Sequence, residues 1–269
     1  KVVPRVRGTI MRVPSIRGPV AGEQFVFPVA GIIGFGPAVA VLYHALRTYD
    51  YPYTEHAYFD TRRVFLALAV GMIVGTASGW IAVALRVGAS SLVSLVILLL
   101  LIVLFEEALK LVYLNRKGYR GRFDTTFIGV GLGIGIAAIA AAASAYTNGP
   151  ALYQPGVFLP ILAYAVSLGF VHGATAAIVG SGCAKGDVVV PFAQAVLARV
   201  LHAAMLVPFF VWSARPDVNP LVPTFSLSAA AAFAALLYRY VYLTVLPDTL
   251  PPELRRERRR RVRGQTVRK

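Results

Sequence analysis

The feature that most constrains this sequence is a series of long apolar runs. Several exceed ~20 residues, about the length that an α-helix needs to cross a bilayer, and short polar connections separate them. The core of a soluble domain would use shorter apolar runs, of about 5 to 15 residues. Hydrophobic residues make up 57% of the 269 residues and charged residues only 14%, too apolar for a hydrated surface. The sequence predicts an all-α, polytopic membrane helix bundle.

About seven spans can be placed along the chain. A basic segment, 1–24, precedes them and a basic tail, 247–269, follows them. We expect Pro37 to kink or locally break the first span, residues 182–186 to form the turn after the fifth, and Pro247, Pro251 and Pro252 to stop the last. The predicted spans are 25–46, 64–85, 89–115, 126–146, 157–179, 188–212 and 222–246.

The charges between the spans predict an orientation. The net charge of +15 is concentrated in the arginine-rich tail and in the loop that follows the third span, 116–122. Because cytoplasmic loops are rich in Lys and Arg, both regions are assigned to the cytoplasm. With seven spans the N-terminus is then outside, although four arginines before the first span argue against it. The predicted location is the cell membrane.

The arginine run of the tail is typical of a cytoplasmic anchor on anionic lipid headgroups. Such a run can also bind nucleic acid. No aromatic platform or recognition fold accompanies it here, so we expect the lipid bilayer and no nucleic acid as a partner.

The third apolar run contains Glu106, Glu107 and Lys110. A charge at this depth costs about 2.5 kcal/mol or more, so an ionisable group inside a membrane indicates a functional site. Counted from the nearest predicted turn, Glu106 and Glu107 lie ~12 Å deep, His172 lies at the same depth and His202 lies ~16 Å deep. Three helices would thus bring four polar side chains to one level, where they line a shared cavity.

Several kinds of chemistry fit this set. A buried carboxylate beside a histidine can activate water for attack on a peptide carbonyl, while a second histidine stabilises the oxyanion. One glutamate and two histidines could instead hold zinc, although no HExxH spacing is present. In a purely structural alternative, Glu106 pairs with Lys110 four residues later and the histidines bond between helices. A proton or ion site of a transporter is a further alternative.

The fourth span carries glycines at a regular spacing. Gly129 and Gly133 share one helical face, and Gly131 and Gly135 share another. Small residues four apart allow helix backbones to approach closely in lipid. This helix is therefore predicted to be central in the bundle or to meet a partner helix.

The polar motifs resemble those of a superfamily of membrane proteases that includes type II CAAX prenyl proteases, bacteriocin-processing proteins and PrsW. The segment FEEALK is similar to the EExxK motif of PrsW, with Glu106, Glu107 and Lys110 in register. His172 in VHGATAAIVG and His202 in VLHAAML match the later histidine motifs. The resemblance implies that Glu106 and His172 activate water, that Glu107 and Lys110 support them, and that His202 binds the oxyanion.

A closer resemblance, over nearly the whole chain, is to the anterior-pharynx-defective subunits of gamma-secretase. It rests on GFGPAVAVL at 34–42, on FEEALKLVYL, on the GVGLGIGI helix that ends in NGP, and on the two histidine segments with the glycine-cysteine segment between them. It implies seven spans and an outside N-terminus. It also implies a non-catalytic scaffold for a presenilin-like aspartyl protease.

The chain departs from the protease motifs at positions that matter for activity. PrsW has Glu-Asn in the fourth helix where this chain has Ala140 and Ala141, and CAAX proteases have Asn where this chain has Leu206. We predict a glutamate- and histidine-dependent intramembrane peptidase that acts on membrane-anchored peptides without a cofactor, zinc being the less favoured variant. The alternative is the scaffold, docked through the glycine-rich fourth helix and its neighbours.

Overall fold

The computed structural model describes residues 23–86, 92–212 and 219–267. Most of the predicted N-terminal segment, 1–24, and the link between the second and third spans lie outside these residues. The described part is helical and contains no β-strand, which confirms the all-α prediction there. Its helices are α1 (Glu23–Leu46), α2 (Thr61–Arg86), α3 (Leu92–Leu114), α4 (Thr125–Thr147), α5 (Pro155–Lys185), α6 (Val189–Trp212), α7 (Leu221–Tyr240), α8 (Leu246–Thr249) and α9 (Pro252–Val267).

Six of these helices are long and apolar enough to cross a membrane: α1, α2, α4, α5, α6, and α7 together with its continuation to Thr249. The chain is therefore a multi-pass membrane protein. The long helix that is not among the six is α3, which carries Glu106, Glu107 and Lys110. Its outer face is nevertheless apolar, with Ile97 and Leu101 among its exposed side chains.

One predicted local feature is wrong, and two others are wrong in part. The segment 182–185 is not a turn, because α5 runs to Lys185 and the chain reverses at Gly186, whose φ is 79°. Gly182 instead allows close approach, since a Cβ there would lie 2.7 Å from the carbonyl oxygen of Asp187. The last helix continues through Pro247 and ends at Thr249, before the other two prolines of the predicted stop. Helix α1 continues through Pro37 without the predicted break, and a kink there stays a prediction.

Helix α4 lies at the centre of the bundle, packed against α1, α2 and α5. On one face, a Cβ added at Gly129 would meet the backbone carbonyl of Ala176 on α5, and one at Gly133 would meet that of His172. These two glycines therefore allow α4 and α5 to touch through their backbones. The contact of Gly133 lies at His172, which is a residue of the candidate site.

The second glycine face of α4 packs against α2. A Cβ at Gly131 would lie 2.6 Å from the carbonyl oxygen of Val64, and one at Gly135 would meet the carbonyl of Leu68. Both glycine faces are thus used inside this chain. Since α4 is buried continuously from Thr125 to Ala138, these glycine faces are not open to a partner helix.

Candidate functional site

A layer of polar side chains is enclosed between helices on the side of the bundle that α3 forms. Every residue of this layer is at most 6% exposed. The layer unites residues that lie far apart in the sequence and come from four helices: Ser78 on α2; Glu106, Glu107 and Lys110 on α3; His172 and Thr175 on α5; and Arg199 on α6.

Glu106 is held by two donors from other helices. Its Oε1 accepts a hydrogen bond from the hydroxyl of Ser78 at 2.9 Å, and its Oε2 accepts one from Nη2 of Arg199 at 2.8 Å. The Nε2 atom of His172 lies 3.9 Å from the same Oε2, which is close but beyond hydrogen-bond length. The carboxylate thus joins α2, α3, α5 and α6 at one point.

Glu107 has its own set of donors. Its Oε1 accepts hydrogen bonds from Nζ of Lys110 and from the hydroxyl of Thr175, the latter at 3.2 Å. The Nε atom of Arg199 lies 3.5 Å from the same oxygen. Lys110 also donates to Thr175 at 2.9 Å. The ion pair of Lys110 is therefore with Glu107, three residues away, and not with Glu106 as the structural alternative expected, because Ser78 and Arg199 engage Glu106.

The network balances its charges. Two carboxylates face one ammonium and one guanidinium, all buried. A buried ion is stable only when it is paired and hydrogen-bonded. In this closed arrangement each glutamate has a cation beside it, and Arg199 contacts both glutamates.

Arg199 is the site residue that sequence reasoning missed as a member of the network. It lies in the middle of the apolar helix α6, three residues before His202. An arginine inside a span costs at least as much as a glutamate, and that cost was the available signal. Its partners could not be read from the sequence, because they depend on the packing of α6 against α3.

Three polar atoms of the network have no hydrogen-bond partner among the described residues: Oε2 of Glu107, Nδ1 of His172 and Nε of Arg199. Such atoms are uncommon in protein interiors and indicate places where a further molecule can bind. The orientation of His172 matters here, because its Nε2 faces Glu106 while its Nδ1 is unengaged. A histidine in this arrangement can exchange a proton through Nδ1.

His202 belongs to a second, smaller contact. Its Nε2 atom lies 2.8 Å from the hydroxyl of Ser167 on α5, and its Nδ1 has no hydrogen-bond partner among the described residues. The predicted depth of His172 assumes that α5 ends before residue 182, but α5 continues to Lys185. Glu106 and His172 nevertheless lie side by side, while His202 bonds to Ser167 and not to a glutamate.

The network is not arranged for a metal ion. In the described part of the chain, no group of three or more His, Cys, Asp and Glu side chains is placed to hold one. Lys110 and Arg199 instead pair with Oε1 of Glu107 and Oε2 of Glu106, and these cations lie where zinc would have to approach both carboxylates. The donor set therefore does not fit the zinc alternative.

The positions that depart from the protease motifs lie in apolar surroundings. Leu206 is buried with Phe209 and Leu227. Ala141 lies in another apolar cluster, and Ala140 packs against it. These positions supply no donor for an oxyanion, and the cation that contacts Glu106 is Arg199.

Two cavities described in the structure lie away from the network. A groove of about 580 Å³ lies between the α1–α2 and α3–α4 connections, lined by residues such as Tyr58 and Phe123. A pocket of about 170 Å³ lies between α5, α6 and the end of α7, lined by residues such as Ser181 and Gln194. Neither is the shared cavity expected from the sequence, because the polar network is tightly enclosed.

The fold and the site define a class: an all-helical, multi-pass membrane protein with a charge-balanced polar network buried between α2, α3, α5 and α6. A comparison of the chain with protein-family models, with curated proteins and with solved structures finds no match in any of the three. The suspected superfamily membership therefore rests on the sequence motifs alone.

Proposed function

We propose that this chain is an intramembrane peptidase in which Glu106, His172 and Arg199 form the reacting centre. The observation that carries the proposal is the meeting of a carboxylate, a histidine with an unengaged Nδ1 and a guanidinium, contributed by three helices. A peptidase that uses water needs a base, a group that orients the base, and a cation or donor for the oxyanion. These three side chains can supply those functions.

The proposed reaction follows the chemistry of each group. Glu106 orients His172 through Nε2–H, which leaves Nδ1 free to take a proton from water as the water oxygen bonds to the peptide carbonyl carbon. The guanidinium of Arg199 stabilises the oxyanion. Collapse of the intermediate breaks the C–N bond, and the proton on Nδ1 passes to the leaving amine. The separation of 3.9 Å between Glu106 and His172 must shorten by ~1 Å in the substrate complex.

Arg199 takes the oxyanion role in this proposal for a local reason. The resemblance assigns that role to His202, but Nε2 of His202 is engaged with Ser167. Glu107 and Lys110 act as positioning residues, because their ion pair is completely buried and fixes the α3 side of the site. Glu107 also contacts Nε of Arg199.

The proposal includes α3 as a seventh span, with the N-terminus outside, the C-terminus in the cytoplasm and the cell membrane as the location. The exposed apolar side chains of α3, such as Ile97 and Leu101, support this assignment. The charged side chains of α3 contact α5 and α6 inside the bundle. The substrate class is a membrane-anchored peptide, because a site enclosed by spanning helices is reached from within the bilayer.

Cleavage of transmembrane and lipid-anchored peptides by the purified, liposome-reconstituted full chain tests the proposal. We expect cleavage by the wild type and by His44→Gln, a control at a histidine that bonds to Tyr238 outside the network. His172→Gln should abolish cleavage without altering the charge balance, and Glu106→Gln should abolish it too. The proposal is refuted if none of the tested peptides is cleaved, or if the folded His172→Gln variant still cleaves them.

One observation favours a second candidate, a non-catalytic scaffold. The network is charge-balanced and enclosed without any substrate, so it can also serve only to hold α3 and α6 to the bundle. A presenilin-like protease would then have to dock on a surface other than α4, whose glycine faces are used internally. Gentle extraction from native membranes followed by mass spectrometry discriminates: a stoichiometric protease partner supports the scaffold, and recovery of the chain alone counts against it.

A further inference from the structure

Helix α9 lies at the membrane edge and is not a free tail. It begins at Pro252, directly after the apolar helix that ends at Thr249. Leu254, in its first turn, packs against the main apolar core of the bundle. The guanidinium of Arg258 lies 4.6 Å from the ring centroid of Tyr49. Tyr49 is the last residue of the apolar segment that α1 begins. The first turns of α9 are therefore level with the ends of two membrane-crossing helices.

Two arginines of α9 face the bundle and have specific partners. Nη1 of Arg255 lies 3.3 Å from the carboxylate of Asp248, and its Nη2 donates to the carbonyl oxygen of the same residue at 2.6 Å. Arg258 makes the contact with Tyr49. Arg255 and Arg258 thus hold α9 against the ends of α8 and α1.

Three other arginines of the same helix point away from the bundle. Arg256, Arg259 and Arg260 are exposed, and none forms an ion pair or hydrogen bond with another described residue. They lie at other positions around the helix than Arg255 and Arg258. The arginine run of the tail is thereby divided into a docked pair and an outward set, which the sequence pattern alone does not separate.

The α3–α4 loop shows the same division between engaged and free basic groups. Arg122 forms a bidentate pair with Asp124, whose hydrogen bonds raise the pKa of the guanidinium, and Arg116 lies over the ring of Tyr113. Lys117 and Arg120 are exposed. The loop lies at the same end of the bundle as α9, because the backbone N–H of Gly121 donates to the carbonyl of Cys183 near the end of α5, and α5 contacts α8.

We propose that Arg256, Arg259 and Arg260, with Lys117 and Arg120, bind the phosphate groups of anionic phospholipids, while Arg255 and Arg258 dock α9 on the bundle. Guanidinium groups pair with phosphate oxygens through two parallel hydrogen bonds. Basic side chains beside a span are attracted to anionic headgroups within about one Debye length. Because α9 starts where the apolar helices end, its outward arginines lie at headgroup level.

Anionic lipid is favoured over nucleic acid by what surrounds the arginines. Sequence-tolerant nucleic-acid grooves combine positive charge with aromatic rings on which bases stack. The ring that contacts α9, that of Tyr49, is buried and already covered by Arg258. None of the outward basic side chains lies over an aromatic ring of a described residue.

Lipid titration of the full chain in detergent micelles, read by native mass spectrometry, tests this inference. The wild type should retain phosphatidylglycerol in preference to phosphatidylcholine. Changing Arg256, Arg259 and Arg260 to Gln should lower the apparent affinity for phosphatidylglycerol by about fivefold per arginine. The melting temperature in lipid-free micelles should stay unchanged, because these side chains form no ion pair or hydrogen bond with the described residues.

The docked pair supplies the matched control. Arg255→Gln with Arg258→Gln should lower the melting temperature in lipid-free micelles yet retain more of the preference for phosphatidylglycerol than the outward triple variant. An unchanged lipid preference in the outward triple variant overturns the inference. It is also overturned if the wild type binds a DNA or RNA oligonucleotide more tightly than phosphatidylglycerol at equal salt. None of these outcomes depends on peptidase activity.

Discussion

Two halves of the bundle are joined by opposite means. In one half, α4 meets α2 and α5 through glycines whose faces carry no side chain at the contact. In the other, α3 meets α5 and α6 through glutamates, a lysine and an arginine. The glycine contacts leave almost no room for an added atom. The charged contacts tolerate only substitutions that keep the positive and negative charges paired.

The two halves meet at His172. Its backbone carbonyl is the atom that a Cβ at Gly133 would strike, and its side chain faces Glu106. The uncharged half therefore fixes the distance of α5 from α4, and through α5 it places a side chain of the charged half. A substitution in either half should therefore change the site. The size of the loss of stability, and the second substitution that restores it, should differ between the halves.

The largest effect is expected from Arg199→Met. Removing this cation leaves Glu106 buried without its ion-pair partner, which should lower the free energy of unfolding by about 3 to 5 kcal/mol. Denaturant titration of the reconstituted protein measures it. Arg62→Met, which removes an exposed arginine whose side chain forms no ion pair with another described residue, is the control and should leave stability unchanged. Equal stability of the two variants would show that the ion pair does not form.

A smaller loss is expected from Gly133→Ala. The added methyl group would press on the backbone of α5 at His172, and overpacking of this kind costs about 1 to 3 kcal/mol. Gly31→Ala is the matched control, since nothing lies within 4 Å of a Cβ at that position on α1. Gly133→Ala should also slow any peptidase reaction more than its loss of stability explains. If both glycine variants behave alike, the α4–α5 contact is not as close as described.

The smallest effect is expected from Ser78→Ala. It removes the donor to Oε1 of Glu106 and should cost about 1 kcal/mol, measured by the same titration. Thr76→Ala is the control on α2, because among the described residues that exposed hydroxyl bonds to the carbonyl of Met72 in its own helix and to no other helix. A loss no larger than that of the control would remove α2 from the network.

The sequence specified much of the helical layout, because an apolar run of bilayer length has few alternatives to a helix. The described helices begin and end within a few residues of most predicted spans. The glycine spacing also pointed to a central α4. Helix ends were harder to predict: Gly182 looked like a turn residue, but it serves the close approach of α6.

The ion pairs could not be read from the sequence, because they depend on which helices are neighbours. Glu106 and Lys110 have the spacing of a favourable helical pair, yet Glu106 is engaged by Ser78 of α2 and Arg199 of α6, and Lys110 pairs with Glu107 of its own helix. The free-energy cost of an arginine inside a span marked Arg199 as unusual, but the sequence did not indicate which carboxylate it pairs with. The docked helix α9 was hidden for the same reason, since an arginine run does not show which of its members have partners.

The pairing of Glu106 with Arg199 is the contact on which both the site and the charged half depend. A double-mutant cycle with Glu106→Gln, Arg199→Gln and the double variant, followed by unfolding in a lipid bilayer, tests it most directly. The two changes should be coupled by at least ~1 kcal/mol, with the double variant more stable than the sum of the single losses predicts. Additive losses, within about 0.5 kcal/mol, would contradict the pairing.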